Sequence, residues 1–266
     1  MSDDLENVLP ALASPTTPLV AVPSAQLESK PWGGWATFGL GLAIFFAYSA
    51  VQIIVMILYV VVMVATGGVI EPESLKTDGL MLSLVTLSGV PVMYGMCILF
   101  ARMRKTIPWK EYLALRPISG KTAAIWIGAL LLLDALSCVW DSFFNYPVPE
   151  FMTKMYDSAG SVPLLCVAMI FAAPISEEFL FRGFFFIGFQ RSKLGNIGAI
   201  VLTSFLWAII HISQYETHTV VQIGLMGILL GFARLRTRSI WPTLLMHATH
   251  NLIAMAGVAY ISRSPT

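Results

Sequence analysis

The sequence predicts an all-α protein, a polytopic membrane bundle of about seven transmembrane helices, with eight as the alternative. Only 12% of the 266 residues are charged and 57% are hydrophobic, with a mean hydropathy of +0.77. A soluble globular domain carries about 25% charged residues. The net charge of +1 leaves no basic excess to neutralise phosphates, which excludes a nucleic-acid-binding protein. The composition therefore predicts a protein whose surroundings are the lipid bilayer.

The first 31 residues differ from the rest of the chain. They mix Pro, Ala and Ser with Asp3, Asp4 and Glu6, so we expect a disordered, solvated tail. A cleavable signal peptide would be basic at its start. We therefore divide the chain into a tail, residues 1–31, and a transmembrane domain, residues 32–266.

The spans follow from long apolar runs, since a transmembrane helix needs about 20 apolar residues. Six runs contain no Asp, Glu, Lys or Arg, and a seventh is apolar except for two aspartates. The runs are residues 31–70, 79–101, 158–176, 194–215, 217–233 and 239–262, and the seventh is 122–141. The first run is long enough for a tilted helix, or for a helix with an interfacial piece.

The basic residues predict the orientation of the bundle. Thirteen of the 16 Lys and Arg residues are Lys30 or lie in the loops 102–121, 182–195 and 234–239. All thirteen fall on one side if there are seven spans, so the positive-inside rule places the N-terminus in the cytoplasm. Within the first loop, residues 106–116 are interpreted either as an amphipathic helix on the cytoplasmic surface or as a solvated loop.

Small residues on the sixth span predict close helix packing. Gly224, Gly227 and Gly231 lie three and four residues apart and share one helix face. Such faces let two membrane helices approach closely.

Polar side chains inside the predicted spans are the candidates for function. An ionisable group costs roughly 2.5–3.5 kcal/mol at the centre of a span. The set comprises Asp134, Asp141, Glu177, Glu178, His211, His247, His250 and Asn251. Asp134 and Asp141 share a helix face and either line a cavity or, for Asp141, mark the end of the span. We favour the second interpretation.

The strongest local pattern is PISEEFLFRG. On a helix, Glu178 and Arg182 are four residues apart, in the favourable order for an ion pair. Glu177 points about 100° away, so it remains free in an apolar setting as a candidate general base. The alternative is a helix start, with Ser176 as the N-cap after Pro174 and two acids in the first turn.

Two later patterns add candidate partners for Glu177. His211 lies as far after the turn 191–196 as Glu177 lies before it, about 17 residues from the midpoint, so the two can meet in a helix hairpin. His247 and Asn251 share a helix face and suit a developing oxyanion as a pair of donors. By simple counting, His247 is shallower in the membrane than Glu177.

In this order the motifs resemble the type II CAAX prenyl endopeptidase (CPBP) family, which groups CAAX proteases with bacteriocin-processing or immunity proteins of the Abi type. The resemblance covers about residues 160–256, and neither the tail nor the first two spans share it. The matching residues are Glu177, Glu178, Arg182 and Gly183, an aromatic residue four before His211, and His247 with Asn251. The aromatic residue is Trp207, where Phe is commoner in the family.

The resemblance implies an all-helical membrane fold and an intramembrane endopeptidase acting on a membrane-associated protein or peptide. It also implies a catalytic set. In the family's terms Glu177 and His211 activate water, His247 and Asn251 stabilise the oxyanion, and Glu178 and Arg182 belong to the same set.

Other chemistries remain open. The family is also described as metal-dependent, and Glu177, His211 and His247 can in principle hold zinc. We favour catalysis without a cofactor, because no HExxH motif is present. A non-catalytic immunity or scaffold protein of the same family is the main alternative function. A transporter is a third, although the chain shows no paired halves.

Overall fold

The computed structural model describes residues 30–69 and 71–263, so residues 1–29 of the predicted tail lie outside it. The described residues form ten helices and no strand. In chain order the helices are α1 (Gly34–Ala65), α2 (Pro72–Leu75), α3 (Gly79–Met103), α4 (Trp109–Tyr112), α5 (Gly120–Phe144), α6 (Glu150–Asp157), α7 (Val162–Gln190), α8 (Gly195–Ile209), α9 (Thr217–Thr237) and α10 (Trp241–Arg263).

Six of these helices, α1, α3, α5, α7, α9 and α10, are long and apolar enough to cross a membrane. The predicted class, a polytopic helical membrane bundle, is therefore confirmed. The remaining predicted span, 194–215, is only partly helical. α8 has 15 residues, about 23 Å at the rise of an α-helix, and a bilayer core is about 30 Å thick. His211 consequently lies in the turn that follows α8 and not within a span.

Helix α7 lies at the centre of the bundle and packs against α1, α3, α8 and α10. It is longer than the predicted span 158–176, because it continues through the acidic motif to Gln190. Two π-helical turns interrupt it, at Ala168–Ala172 and Phe179–Phe185. The helix-start interpretation is wrong, because Ser176 lies inside the continuous helix α7 and is buried there.

One end of the bundle carries the basic loops, and we call it the basic end. Residues 106–116 were predicted as a surface helix or a solvated loop, and the structure shows neither: they belong to the segment 104–119, which links α3 to α5. It is helical for one turn only, and Tyr112 and Leu113 are fully buried. Aromatic side chains of α7 pack behind it, and Tyr112 contacts the ring of Phe184 at 5.6 Å. The segment is thus part of the core.

This segment also determines where α10 begins. The backbone N–H of Ile240 donates to the carbonyl of Ala114 at 3.1 Å, and the Ser239 hydroxyl donates to the carbonyl of Arg116 at 2.6 Å. Ser239 and Ile240 are fully buried. The two residues that lead into α10 are therefore buried against this segment, and Trp241, the first residue of α10, is exposed.

The small-residue face of α9 packs against α8, as predicted. A Cβ on Gly231 would lie 2.9 Å from Ile200, and a Cβ on Gly227 would lie 3.0 Å from Ser204. Helices α8 and α9 are close neighbours because these positions carry no side chain.

Candidate active site

A cavity of about 800 Å³ lies between α1, α3, α5, α7, α9 and α10. Its walls are mainly apolar, and a few polar side chains converge on its inner end. These are Glu177, Trp207, His211, His247 and Asn251. Large apolar pockets with a few convergent polar groups are the usual form of a binding site. Among the predicted site residues, Glu178 and Arg182 do not line this cavity.

Glu177 directs its carboxylate into the cavity, and about a fifth of its side chain is exposed. Its Oε2 atom accepts a hydrogen bond from the indole N–H of Trp207. The same oxygen lies 3.9 Å from Nε2 of His247. One carboxylate oxygen is therefore held by the protein wall.

Glu178 and Arg182 form the predicted ion pair, with Nη1 of Arg182 2.9 Å from Oε1 of Glu178. Both side chains are fully buried. Oε1 of Glu178 also lies 3.0 Å from Nδ1 of His247, and the guanidinium lies over the ring of Trp207 at 4.6 Å. The pair thus sits behind the cavity wall, where it positions two side chains that face the cavity.

Arg234 was predicted to lie in a cytoplasmic loop, but it is buried in the bundle. Its guanidinium is buried and donates from Nε to the backbone carbonyl of Arg182 at 2.8 Å. Arg182 in turn donates from Nη2 to the carbonyl of Gly227 at 3.3 Å. Arg234 lies seven residues after Gly227 and three residues after Gly231, so it shares their helix face. This periodicity could have indicated that Arg234 is buried. Arg182 was likewise assigned to a loop, and this was wrong.

His211 and Glu177 face the same cavity, but Trp207 separates them. Nδ1 of His211 is 2.8 Å from the carbonyl of Trp207, and the two rings are 5.5 Å apart. Because a carbonyl can only accept, Nδ1 carries the hydrogen, and Nε2 of the neutral ring is left as an acceptor. The two side chains therefore line one cavity, but no hydrogen bond or ion pair joins them directly.

The depth discrepancy of His247 is resolved by the buried residues that lead into α10. Counting from Arg238 assumed that the helix begins at the membrane surface, whereas residues 239 and 240 are already buried. His247 therefore reaches both glutamates of α7. Its Nδ1 atom faces the Glu178 carboxylate, which can only accept, so Nδ1 carries a hydrogen and Nε2 faces Glu177.

Asn251 has a structural bond that sequence analysis did not anticipate. Its Nδ2 atom donates to the backbone carbonyl of Met169 at 2.7 Å. In the π-helical turn, the N–H of Ala173 bonds to Ala168, five residues back. In the same pattern, the carbonyl of Met169 would accept from the N–H of residue 174. Residue 174 is a proline and has no N–H. The side chain of Asn251 thus replaces the bond that Pro174 cannot make.

The two aspartates of α5 both line the cavity. Asp134 Oδ1 is 3.0 Å from Nδ1 of His250, and Asp141 accepts from Gln222 at 2.6 Å. Asp141 lies close to the end of α5, as the interpretation that it marks the end of the span predicts. That interpretation did not include its position in the cavity wall. These two pairs join α5 to α10 and α9.

The three residues proposed as zinc ligands face the same cavity but are not grouped closely enough to hold one ion. Within residues 30–69 and 71–263, no three His, Cys, Asp or Glu side chains are grouped so that they could hold a metal ion. His211 bonds through Nδ1 to the backbone, and Trp207 stands between it and Glu177. The arrangement therefore does not fit a three-ligand zinc site.

Comparison with known proteins assigns the part of the chain that carries the site. Residues 159–253 match the model of the type II CAAX prenyl endopeptidase Rce1-like family, so this part of the chain is a Rce1-like domain. This confirms the resemblance. An uncharacterised 24.3 kDa protein of Escherichia coli is 29% identical over 169 residues, which are 60% of this chain and 73% of that protein. No solved structure gives a significant match.

The matched range begins just before α7 and ends within α10. It contains every cavity-facing polar residue at the inner end, together with the ion pair behind them. The chain is an integral multi-pass membrane protein with a Rce1-like domain.

Proposed function

We propose that the protein is an intramembrane endopeptidase in which Glu177 activates water for attack on a peptide bond. The observation that carries this proposal is the position of the Glu177 carboxylate, aimed into a large cavity within a Rce1-like domain. The substrate is a membrane-associated protein or peptide. General-base catalysis needs a carboxylate within reach of the water that it deprotonates.

The proton movements can be assigned to named atoms. The water oxygen bonds to the carbonyl carbon as its proton passes to the free oxygen of Glu177, the oxygen that Trp207 does not hold. Nε2 of His211 accepts the second hydrogen of the water and orients it. When the carbon–nitrogen bond breaks, the proton on Glu177 moves to the departing amine. One water is consumed, and a carboxyl and an amino terminus form.

His247 is the group best placed to stabilise the oxyanion. Glu178 holds its Nδ1 and fixes the ring, and in the proposed mechanism the ring acts as an imidazolium with a hydrogen on each nitrogen. Nε2 then donates to the negative oxygen of the tetrahedral intermediate. Asn251 contributes its second amide hydrogen, because only one is needed for the carbonyl of Met169.

The first test compares peptide termini in membranes that contain the wild type, Glu177→Gln or Glu150→Gln at matched abundance. Glu150 is an exposed acid of α6 that pairs with Lys154 at the surface, so its variant controls for the loss of one charge. We expect termini that are present with the wild type and the control but absent with Glu177→Gln. Unchanged termini, with any host phenotype retained, would reject the protease and support a non-catalytic scaffold or immunity role.

A second measurement addresses cofactors. The proposal of a metal-free site predicts that cleavage persists after exhaustive dialysis against a strong chelator. Metal analysis of the same sample should show less than stoichiometric zinc. Activity that is lost with the metal and restored by zinc would establish a metalloprotease instead.

A further inference from the structure

The cavity reaches only one end of the bundle. Beyond its inner end, it is lined by the link between α5 and α6 and by the segment that leads into α9. The outermost lining residues are Pro147, Pro149, Met152, Gln214, His218 and Thr219. Lining residues are absent from the described ranges 94–133, 182–206 and 227–246, which together form the basic end. We call the opposite end the open end.

The basic end is closed by packed side chains. Phe184, Phe186 and Phe189 of α7 are buried, and so is Leu230 of α9. The buried guanidinium of Arg234 covers the ring of Phe186 at 5.0 Å. A peptide could reach Glu177 from this side only by displacing the core that holds the ion pair.

The two ends differ sharply in charge. Among the described residues, the basic end carries one exposed acid, Glu111, and the exposed or half-exposed basic residues Lys30, Arg102, Arg104, Lys105, Lys110, Arg116, Lys121, Arg191, Lys193, Arg236 and Arg238. The open end carries three basic residues, Lys76, Lys154 and Arg263, among the acids Glu71, Glu73, Asp78, Glu150, Asp157 and Glu216. Short loops rich in Lys and Arg stay on the cytoplasmic side.

The depth of the site sets a minimum length for the substrate. Glu177 lies 15 residues after the first residue of α7, Val162, which is at the open end. Fifteen helical residues correspond to about 22 Å. An extended peptide advances about 3.3 Å per residue, so about six or seven extended residues are needed to bring a peptide bond to Glu177.

From these observations we infer that the site receives its substrate from the non-cytoplasmic face of the membrane. The substrate class is an unfolded segment of at least about six residues, exposed on that face, from a membrane-associated protein or peptide. A tail on the cytoplasmic face would meet the closed end. That a substrate uses this route rests on the proposed protease function. The route into the cavity itself does not depend on catalysis.

The route can be tested with single cysteines and a charged, membrane-impermeant methanethiosulfonate. Cys97, Cys138 and Cys166 are first replaced by Ala. One cysteine is then introduced as Ser137→Cys in the cavity wall, as Ser213→Cys at the open end, or as Lys193→Cys at the basic end. Labelling is measured by mass spectrometry in right-side-out spheroplasts, before and after permeabilisation.

We expect Ser137→Cys and Ser213→Cys to label in intact spheroplasts at least fivefold more than Lys193→Cys, which should need permeabilisation. Labelling of Lys193→Cys in intact spheroplasts would overturn the orientation. Labelling of Ser137→Cys from neither side, or only after permeabilisation, would overturn the route. Ser49→Cys on α1, which also lines the cavity, repeats the test if Ser137→Cys does not accumulate.

Adding Glu177→Gln separates this inference from the proposed function. The labelling pattern should be unchanged by that substitution, since it reports water access and not turnover. Expected labelling with unchanged peptide termini would reject the protease but keep the route. Termini that depend on Glu177 with the opposite labelling would keep the protease and reject the route.

Discussion

The half of the bundle at the basic end and the half at the open end are both largely apolar, but they are packed differently. We call them the basic half and the open half. In the basic half, aromatic side chains and two buried arginines fill the space between helices. In the open half, the helices diverge around a cavity of about 800 Å³. The proposed catalytic groups lie at the boundary between the two halves. The packed half therefore fixes the positions of the side chains at the inner end of the cavity, while the open half leaves room for the proposed peptide substrate.

Two adjacent residues show the difference most clearly. Glu178 is fully buried and is compensated by Arg182 and His247. Glu177 points about 100° away on the helix, faces the cavity and has a free oxygen. One carboxylate acts as part of the scaffold, and the other is available for chemistry.

The largest expected effect is on the buried ion pair. Arg182→Met should lower the free energy of unfolding by about 3–5 kcal/mol, because it leaves the buried Glu178 carboxylate without its cation. Arg116→Met is the matched control, since Arg116 pairs with Glu111 at a half-exposed site and should cost about 0–1 kcal/mol. Denaturant unfolding in detergent compares them. Equal losses would contradict a structural role for the buried pair.

The packing of α8 on α9 should be nearly as sensitive. A Cβ at Gly227 would lie 3.1 Å from the ring of Trp207, whereas one at Gly224 would lie 3.8 Å from Ala208. Gly227→Ala should be less stable than Gly224→Ala by about 2 kcal/mol, because overpacking outweighs the gain in helix propensity. The midpoints of thermal unfolding measure this difference. Similar midpoints would show that Trp207 can move freely.

Trp207→Phe tests whether the packed half orients the catalytic carboxylate. Removing the N–H that holds Glu177 should lower kcat about tenfold, since a hydrogen bond contributes about 1–1.5 kcal/mol, while KM stays unchanged. Trp32→Phe also loses an indole bond, to the carbonyl of Phe100, but lies away from the site. It should keep the wild-type kcat. A drop in both variants would point to general destabilisation.

The smallest effect is expected in the open half. Asp134→Asn keeps an acceptor for His250 but removes a charge from the cavity wall. We expect KM to change by about threefold or less and kcat to stay the same, because uniform binding affects KM alone. Asp157→Asn, exposed at the same end, should have no effect. A large fall in kcat for Asp134→Asn would place this residue among the reacting groups.

Much of the site could be predicted from the sequence because its residues are close along a helix. Spacing along one helix places Glu178 against Arg182 and sets Glu177 apart from them. The same reasoning gave the small-residue face of α9. Each of these depends only on helical periodicity, which packing does not change.

What spacing could not predict depends on where helices begin and end. The count from Arg238 made His247 too shallow, because it could not show that segment 104–119 buries the residues that lead into α10. Arg182 and Arg234 were assigned to loops, because charge alone does not distinguish a buried cation from a cytoplasmic one. The bond from Asn251 to Met169 depends on a π-helical turn next to Pro174, and the sequence does not specify its register.

By itself, the sequence determined that this protein is a helical membrane bundle, and it singled out polar residues that the structure places in or behind the wall of one cavity. Apolar run length and helical periodicity are local properties, so they can be derived without the fold. Only the tertiary structure decided which groups face the cavity, that Trp207 stands between Glu177 and His211, and at which end the cavity opens. These features depend on how separate helices pack against one another, and residue spacing within one helix carries no information about that packing.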